Sequence, residues 1–143
     1  MKNKFNFRHP IRVRYAEIDG QKIVFNGVYL TYMDVAFTEY LRNLGLQFKP
    51  GTQQQFDFVA VKTTLEFKSP AYFDEVLEVY CRVARMGNTS FTVEFAIYKE
   101  NSSTLVLVAD MVYVCVDPVK GTKTPLPGFF REKVALWEKD GEQ

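Results

Sequence analysis

The clearest periodic pattern in this chain lies over residues 28–44 and predicts a long helix. Apolar residues recur there at steps of three and four, as on the buried face of an α-helix. Gly45 supplies the expected stop at the C-terminal end, and Gly27 allows a tight entry into the first turn. Two neighbouring stripes make the helix apolar on most of its circumference: Leu30, Met33, Phe37, Leu41 and Leu44 in one, and Tyr29, Tyr32, Ala36 and Tyr40 in the other.

Alternation of apolar and polar positions predicts strands before and after this helix. Residues 11–15 alternate as a half-buried strand does. After a polar loop around residues 49–55, the segment 56–67 has the pattern of one long or broken strand. Residues 77–83 and 91–97 alternate on either side of a Met-Gly-Asn turn, which predicts a hairpin.

The last third of the chain predicts one more strand and a short helix. Residues 105–116 are apolar at nearly every position apart from Asp110, which is typical of a central strand covered on both faces. The pair Asp117-Pro118 ends this strand. A short amphipathic closing helix is predicted by Phe129, Phe130, Val134, Leu136 and Trp137.

The order of these elements predicts an α+β fold in a single domain over residues 1–143. One long helix followed by a run of antiparallel strands excludes the alternating strand-helix order of a doubly wound fold. A curved antiparallel sheet wrapped around the long central helix fits best. Because the sheet covers only one side of a helix that is apolar all round, we expect a second subunit to cover the other side, giving a homodimer.

Composition and charge exclude several classes of function. The 143 residues contain 18 Lys and Arg against 17 Asp and Glu, a net charge of +1, and no basic cluster indicates nucleic-acid binding. No segment approaches the ~20 apolar residues of a membrane span, and the N-terminus lacks the apolar run of a signal peptide. We therefore expect a cytoplasmic protein without a membrane span.

Cysteine and histidine indicate neither disulfides nor metal. Cys81 and Cys115 lie within apolar strand-like runs, where a reduced thiol packs as a small hydrophobe. His9 is the only histidine and has no acidic or cysteine neighbour at the spacing of a metal site, so we expect it at the surface.

The segment 15–29 carries the candidate chemistry, because it places Asp19 between a strand and the start of the long helix. A helix N-terminus collects unpaired N–H groups and the positive end of the helix dipole. A carbonyl oxygen gaining negative charge can be stabilised there, beside a carboxylate able to attack or to activate water. This arrangement predicts acyl transfer. The competing interpretation is that Asp19-Gly20 is only a turn pair, and Glu17 and Glu39 are expected to be solvated or interfacial.

Four segments of the chain resemble one enzyme family. They are VRYAEID at 13–19, VFNGVY at 24–29, YMDVAFTEYL at 32–41 and VCVDP at 114–118. Together they are similar to the hotdog-fold acyl-CoA thioesterases of the 4-hydroxybenzoyl-CoA thioesterase and YbgC-like type. The resemblance spans roughly residues 11–127.

The resemblance implies a role for five residues. Asp19 matches the catalytic aspartate, and the backbone N–H of Asn26 matches the group taken to polarise the thioester carbonyl. Gly27, Tyr29 and Asp34 become candidate substrate-binding residues, and for Asp34 a structural role, such as pairing across subunits, is favoured over catalysis. The implied substrate is an acyl-CoA or acyl carrier protein thioester of a small to medium acyl or aryl group. No cofactor is implied beyond coenzyme A as part of the substrate, and dimers can pair into tetramers.

Three departures from the family pattern leave alternatives open. Lys22 stands where the family usually has Gly, Asn26 where YbgC-like members usually have His, and Val28 where a small polar residue is common. Without a histidine near the helix, a hydratase on the same fold is disfavoured. A non-catalytic thioester-binding or scaffold protein is the alternative function. The sequence does not separate Asp19 as nucleophile from Asp19 as general base.

Overall fold

The computed structural model describes residues 1–46 and 57–139, and an antiparallel sheet with a long helix dominates this part. The predicted loop at 49–55 and the predicted first strand residue Phe56 lie outside the described residues. The strands and helices in chain order are β1 (Arg8–Arg12), α1 (Val28–Asn43), β2 (Asp57–Phe67), β3 (Val76–Met86), β4 (Ser90–Lys99), β5 (Leu105–Val116) and α2 (Gly128–Glu138). This order confirms the α+β class.

The five described strands form one curved antiparallel sheet in the order β1-β3-β4-β5-β2. Helix α1 packs across β3 and β1, and α2 packs on β3. Register shifts in β2 between Ala60 and Lys62, and in β3 between Val83 and Arg85, bend the strands as β-bulges do. The result is the hotdog fold: a sheet curled around one long helix.

Helix α1 confirms the predicted helix almost to the residue. It ends with a Schellman arrangement, in which the Leu46 N–H donates to the Leu41 carbonyl (2.9 Å) and the Gly45 N–H to the Arg42 carbonyl (3.0 Å). Gly45 has φ +83°, a conformation that residues with a Cβ atom adopt at a cost. The predicted glycine stop is therefore confirmed by its backbone geometry.

Helix α1 is apolar on most of its circumference but is buried on only one side in the single chain. Tyr32, Met33 and Ala36 are at most 1% exposed, but Leu30 is 41% and Val35 is 38% exposed. Leu30 belongs to a stripe that the pattern assigned to the interior. The helix buries one broad side against the sheet and leaves the opposite side open.

The first predicted strand is misplaced. Strand β1 is Arg8–Arg12, so only residues 11 and 12 of the predicted segment 11–15 belong to it. A 3₁₀ turn over Tyr15–Glu17 follows, in which the Glu17 N–H donates to the Arg14 carbonyl at 2.9 Å and the Glu17 side chain accepts the Arg14 N–H at 2.8 Å. The competing hydrogen bonds of this turn end the extended conformation that the alternation predicted.

The remaining strands follow the predictions closely. Strand β2 confirms the predicted strand and lies at an edge of the sheet, and β3 and β4 form the predicted hairpin. Strand β5 lies between β4 and β2, but its cover on both faces is limited to the consecutive buried pair Val106 and Leu107. From Met111 onward, buried and half-buried residues alternate, so the prediction of a fully covered strand is wrong for that part.

The closing helix is present as α2 and is amphipathic as predicted. Phe130 and Val134 are buried, but Leu136 is 79% exposed. Glu138 is buried instead, and it accepts hydrogen bonds from the Tyr40 hydroxyl and the Val83 N–H. None of the helices in the described ranges is long and apolar enough to cross a bilayer.

Candidate active site

The loop that carries Asp19, residues 15–25, is called the acid loop here. The Asp19 N–H donates to the Ile23 carbonyl and the Lys22 N–H donates to the Asp19 carbonyl, both at 2.9 Å. Lys22 has φ +64°, in the left-handed region. The loop therefore keeps the conformation that a glycine allows, even though a lysine occupies the position.

The Asp19 side chain takes part in the turn with one oxygen only. Its Oδ1 accepts the N–H of Gln21 at 2.8 Å, which is an Asx turn. Within the described residues, Oδ2 accepts no hydrogen bond. The side chain is half-buried and lines a cavity. Both interpretations of Asp19 therefore fit one side chain: one oxygen stabilises the turn, and the other is free to act on a ligand.

The N-terminus of α1 supplies free amide groups. Gly27 is the N-cap residue and no side chain caps the helix. In the part of the chain that the structure describes, the N–H groups of Asn26 and Gly27 donate to no acceptor, whereas the Val28 N–H donates to the Phe25 carbonyl at 2.9 Å. The Asn26 side chain is exposed. Hydrogen-bond donors and the positive end of the helix dipole thus meet at this point.

Asp19 and the start of α1 line the same cavity, whose volume is about 640 Å³. This volume is in the range of small-molecule sites. Three parts of the chain form the walls: the acid loop, the first turn of α1, and the connection that follows β2. The lining residues are Asp19, Gln21, Ile23, Val24, Phe25, Asn26, Tyr29, Phe67, Lys68, Ser69 and Pro70.

Aromatic rings form one wall of this cavity. The Tyr29 ring is buried and lies 5.9 Å, between ring centroids, from the half-exposed ring of Phe67. Burial raises the pKa of Tyr29 to about 12, a hydrogen bond with the Ala71 backbone lowers it, and the negative charge of Glu75 raises it. Tyr29 is therefore a neutral phenol at physiological pH. An apolar wall of this kind suits an acyl or aryl group.

Gly27 lies close to the Phe25 side chain. A Cβ atom at this position would lie 3.2 Å from a ring carbon of Phe25, which is tighter than ordinary contact. Gly27 follows Asn26 directly, so both free amides lie in one turn. The structure brings Asp19, Asn26 and Tyr29 together in the lining of one cavity, and Gly27 lies next to Asn26 at the N-cap of α1.

Asp34 is not part of this cluster. It lies exposed on the open side of α1 and does not line the cavity. The negative charge of Asp34 acts on Tyr113. Burial is the main cause that raises the pKa of Tyr113, and the charge of Asp34 raises it further. In the single chain Asp34 therefore does not join the other candidate substrate-binding residues, and it lies on the side of α1 that a second subunit is expected to cover.

Glu17 corrects a second expectation, since it is buried rather than solvated or interfacial. Burial is the largest influence on its pKa and raises it. Hydrogen bonds from the Arg14 backbone, the Arg14 guanidinium and the Tyr32 hydroxyl together hold the pKa below its ordinary value. Glu39 pairs with Arg42 on the same helix, in agreement with a solvated position.

Sequence reasoning missed the wall after β2, formed by Phe67, Lys68 and Ser69. These residues lie more than 40 positions beyond the acid loop, and no local pattern links them to it. The connection is made by the fold: the Val24 N–H donates to the Ala71 carbonyl at 2.9 Å, which holds the two segments side by side.

The thiols and the histidine agree with their predicted roles. Cys81 and Cys115 are fully buried and free, and burial raises the pKa of both thiols. His9 is half-buried on edge strand β1 and lies outside the lining of the cavity. Over residues 1–46 and 57–139, no three His, Cys, Asp or Glu side chains are grouped to hold a metal ion.

Comparison with known proteins identifies the family of this chain. The model of a family described as the thioesterase superfamily matches residues 21–106. The chain is 32% identical over 121 residues to the acyl-CoA thioester hydrolase YbgC of Escherichia coli O6:H1. The matched region covers 85% of this chain and 90% of that protein.

Solved structures show the same fold. The PA5185 protein of Pseudomonas aeruginosa has a TM-score of 0.85 at 25% identity and covers 95% of this chain and 94% of its own. A 1,4-dihydroxy-2-naphthoyl-CoA thioesterase from Synechocystis has a TM-score of 0.79 at 21% identity, with 90% of this chain and 95% of that one covered. Sequence, fold and cavity agree: the chain belongs to the thioesterase superfamily and is a hotdog-fold thioester hydrolase.

Proposed function

We propose that this protein is an acyl-CoA thioesterase that hydrolyses the thioester of a small to medium acyl or aryl group. The observation that carries the proposal is that one cavity is lined by both Asp19 and Asn26, the residue before the N-cap of α1, whose N–H donates to no acceptor among the described residues. The names of the YbgC relative and of the Synechocystis structure support a coenzyme A thioester as the substrate. An acyl carrier protein thioester has the same reacting group and is the alternative substrate.

The amide end of α1 would stabilise the oxyanion. Asn26 lines a ligand-sized cavity, and the N–H groups of Asn26 and of the next residue, Gly27, donate to no acceptor in the described part of the chain. A single donor of this kind is typically worth about 3–4 kcal/mol in the transition state. Any residue except proline supplies the N–H, so an asparagine can replace the usual histidine at position 26.

The free oxygen of Asp19 would carry out the attack. It either bonds to the thioester carbon, forming a mixed anhydride that water then hydrolyses, or takes a proton from the attacking water. The leaving thiol has a pKa near 8.5, so it departs as a thiolate without a strong acid. This explains how a site with one carboxylate and no histidine can suffice.

Aromatic packing would hold the acyl group. Tyr29 and Phe67 form the apolar wall, and Phe25, which is 51% exposed, flanks the amide end of the helix. Asp34 is outside this cavity, and we propose that it acts at the contact between subunits.

We further propose that the protein forms a homodimer through β2 and the open side of α1. Strand β2 is an 11-residue edge strand on which Val59 and Val61 are 46% and 57% exposed. An apolar edge of this length pairs readily with a second chain. Leu30 and Val35 add apolar surface on α1. The molar mass in solution, measured by light scattering, tests for the dimer and shows whether dimers pair further into tetramers.

The function is tested by thiol release from acyl-CoA and acyl carrier protein thioesters, comparing wild type with Asp19→Asn. Asparagine keeps an oxygen for the Asx turn and removes only the carboxylate. We expect hydrolysis to fall at least about 100-fold, the scale of general acid–base effects, with the melting temperature unchanged.

Asp117→Asn is the matched control. Asp117 makes the same turn bond, accepting the Val119 N–H at 2.9 Å, but it does not line the cavity. This variant should keep wild-type turnover. Full activity of Asp19→Asn would remove Asp19 from the mechanism. Binding of thioesters by wild type without any turnover would favour the scaffold alternative.

A further inference from the structure

Glu17 is the most completely hydrogen-bonded carboxylate near the cavity, although it does not line it. Its Oε1 accepts the Tyr32 hydroxyl and the Arg14 N–H, both at 2.8 Å. Its Oε2 accepts two guanidinium N–H groups of Arg14, at 2.9 and 3.1 Å. Only 7% of the residue is exposed. A buried carboxylate with four donors is held in one position.

The main chain of Glu17 is tied to the same region. Its carbonyl accepts the N–H of Phe25 at 3.0 Å, and Phe25 directly precedes Asn26. Its side chain reaches Tyr32 in the second turn of α1. Asp19 follows two residues later. Glu17 is thus bonded to the chain just before the amide end of α1, to α1 itself, and through two peptide units to Asp19.

We infer that Glu17 is a positioning residue that fixes the acid loop on α1 and so sets the separation between Asp19 and the Asn26 amide. This inference rests on the proposed function, in which those two groups act on one thioester. The hydrogen bond from the Tyr32 hydroxyl to the Glu17 carboxylate joins the side chains of the acid loop and the helix. Attack and oxyanion stabilisation need both groups within a few tenths of an ångström, and a misplacement of 1 Å can cost about 100-fold in rate.

Tyr32→Phe removes this bond and little else. Phenylalanine fills the same volume in a position that is 1% exposed, so the helix remains packed. We expect kcat to fall about tenfold while KM stays within about twofold, because the loss affects the geometry of attack rather than binding.

Tyr40→Phe is the matched control on the same helix. Tyr40 is fully buried and its hydroxyl also donates to a buried carboxylate, that of Glu138, but this pair lies outside the cavity. Both variants lose a buried hydroxyl-carboxylate bond, so both should lower the melting temperature. Only Tyr32→Phe should lower kcat, whereas Tyr40→Phe should keep it within about twofold of wild type.

A double-mutant cycle separates positioning from general loosening of the fold. If Tyr32 acts through Asp19, then adding Tyr32→Phe to Asp19→Asn should cost no further activity, because the group being positioned is already gone. A purely structural role would lower the activity by the same factor in both backgrounds, and that result would overturn the inference.

The outcomes also distinguish this inference from the proposed function. If Asp19→Asn is inactive but Tyr32→Phe and Tyr40→Phe have equal kcat, then Glu17 does not position the site, and the proposed function stands. If Asp19→Asn keeps full turnover, Asp19 has no part in the mechanism, and the positioning role is wrong with it. If the wild type binds thioesters without turnover, the proposed function itself is wrong.

Discussion

Lys22 shows how a single backbone angle preserves the acid loop. A residue with a Cβ atom in the left-handed region costs about 1–2 kcal/mol, and glycine avoids this cost. Glycine also gives the unfolded chain more conformational freedom, and this lowers the free energy of unfolding by about 0.5–1 kcal/mol. The observed φ of +64° therefore means that the rest of the loop holds Lys22 in a conformation that lysine does not favour.

We predict that Lys22→Gly raises the free energy of unfolding by about 0.5 kcal/mol, the difference between these two effects. Lys22→Val should lower it, because a β-branched side chain suits the left-handed region least. Urea denaturation of the two variants and wild type measures both changes. A Lys22→Gly protein less stable than wild type would show that the angle carries no strain.

Glu17 predicts part of the acid sensitivity of the fold. Its pKa in the folded protein is below the ordinary value, so the stability it adds is fully present above the unfolded pKa of about 4.3. That stability is lost as the pH falls through the folded pKa, because protonation ends the ion pair with Arg14.

We therefore expect Glu17→Gln to be less stable than wild type at pH 7, with the difference shrinking as the pH is lowered below about 4.3. Thermal melting between pH 3 and pH 7 measures this. Glu132→Gln, which removes an exposed carboxylate on α2, controls for the change in net charge. If the stability difference between Glu17→Gln and wild type stayed constant across this pH range, the lowered pKa of Glu17 in the folded protein would be contradicted.

At the scale of elements, the open edge of β2 has the clearest consequence. Val61 is the residue skipped at the bulge between Ala60 and Lys62 and is 57% exposed. A lysine at an edge strand opposes pairing with another chain. We expect Val61→Lys to shift the molar mass in solution from dimer to monomer at micromolar concentration, as measured by light scattering.

Leu136→Lys provides the control for that experiment. Leu136 is 79% exposed on α2, away from β2, so the same change of charge should leave the dimer intact. A wild-type protein that is monomeric at micromolar concentration would count against the proposed interface as a whole.

For the whole molecule, the proposed chemistry needs no resident cofactor. In the proposed mechanism, Asp19 would supply the attacking group or base, and the amides at the start of α1 would supply the oxyanion contacts. We predict that dialysis against a chelator leaves thiol release unchanged and that added divalent metal does not increase it. Loss of activity on chelation, restored by one metal, would show that a metal takes part.

Local patterns in the sequence were sufficient for helix α1 and the β3-β4 hairpin, and they singled out Asp19 as a candidate. The stripes and glycines around α1 predicted its ends to within one residue, and the alternation around residues 86–88 predicted the β3-β4 hairpin. Asp19 was identified because it lies between a strand and a helix start. These properties depend on neighbours within a few positions, which the sequence states directly.

The tertiary structure alone decided which residues meet and which are covered. Glu17 is buried because Tyr32, 15 positions later, donates to it, and Phe67 joins the cavity because β2 ends beside the acid loop. Leu30 and Asp34 are open because the sheet reaches only one side of α1. Burial and proximity depend on the packing of distant segments, and periodicity along the chain carries no information about which segments those are.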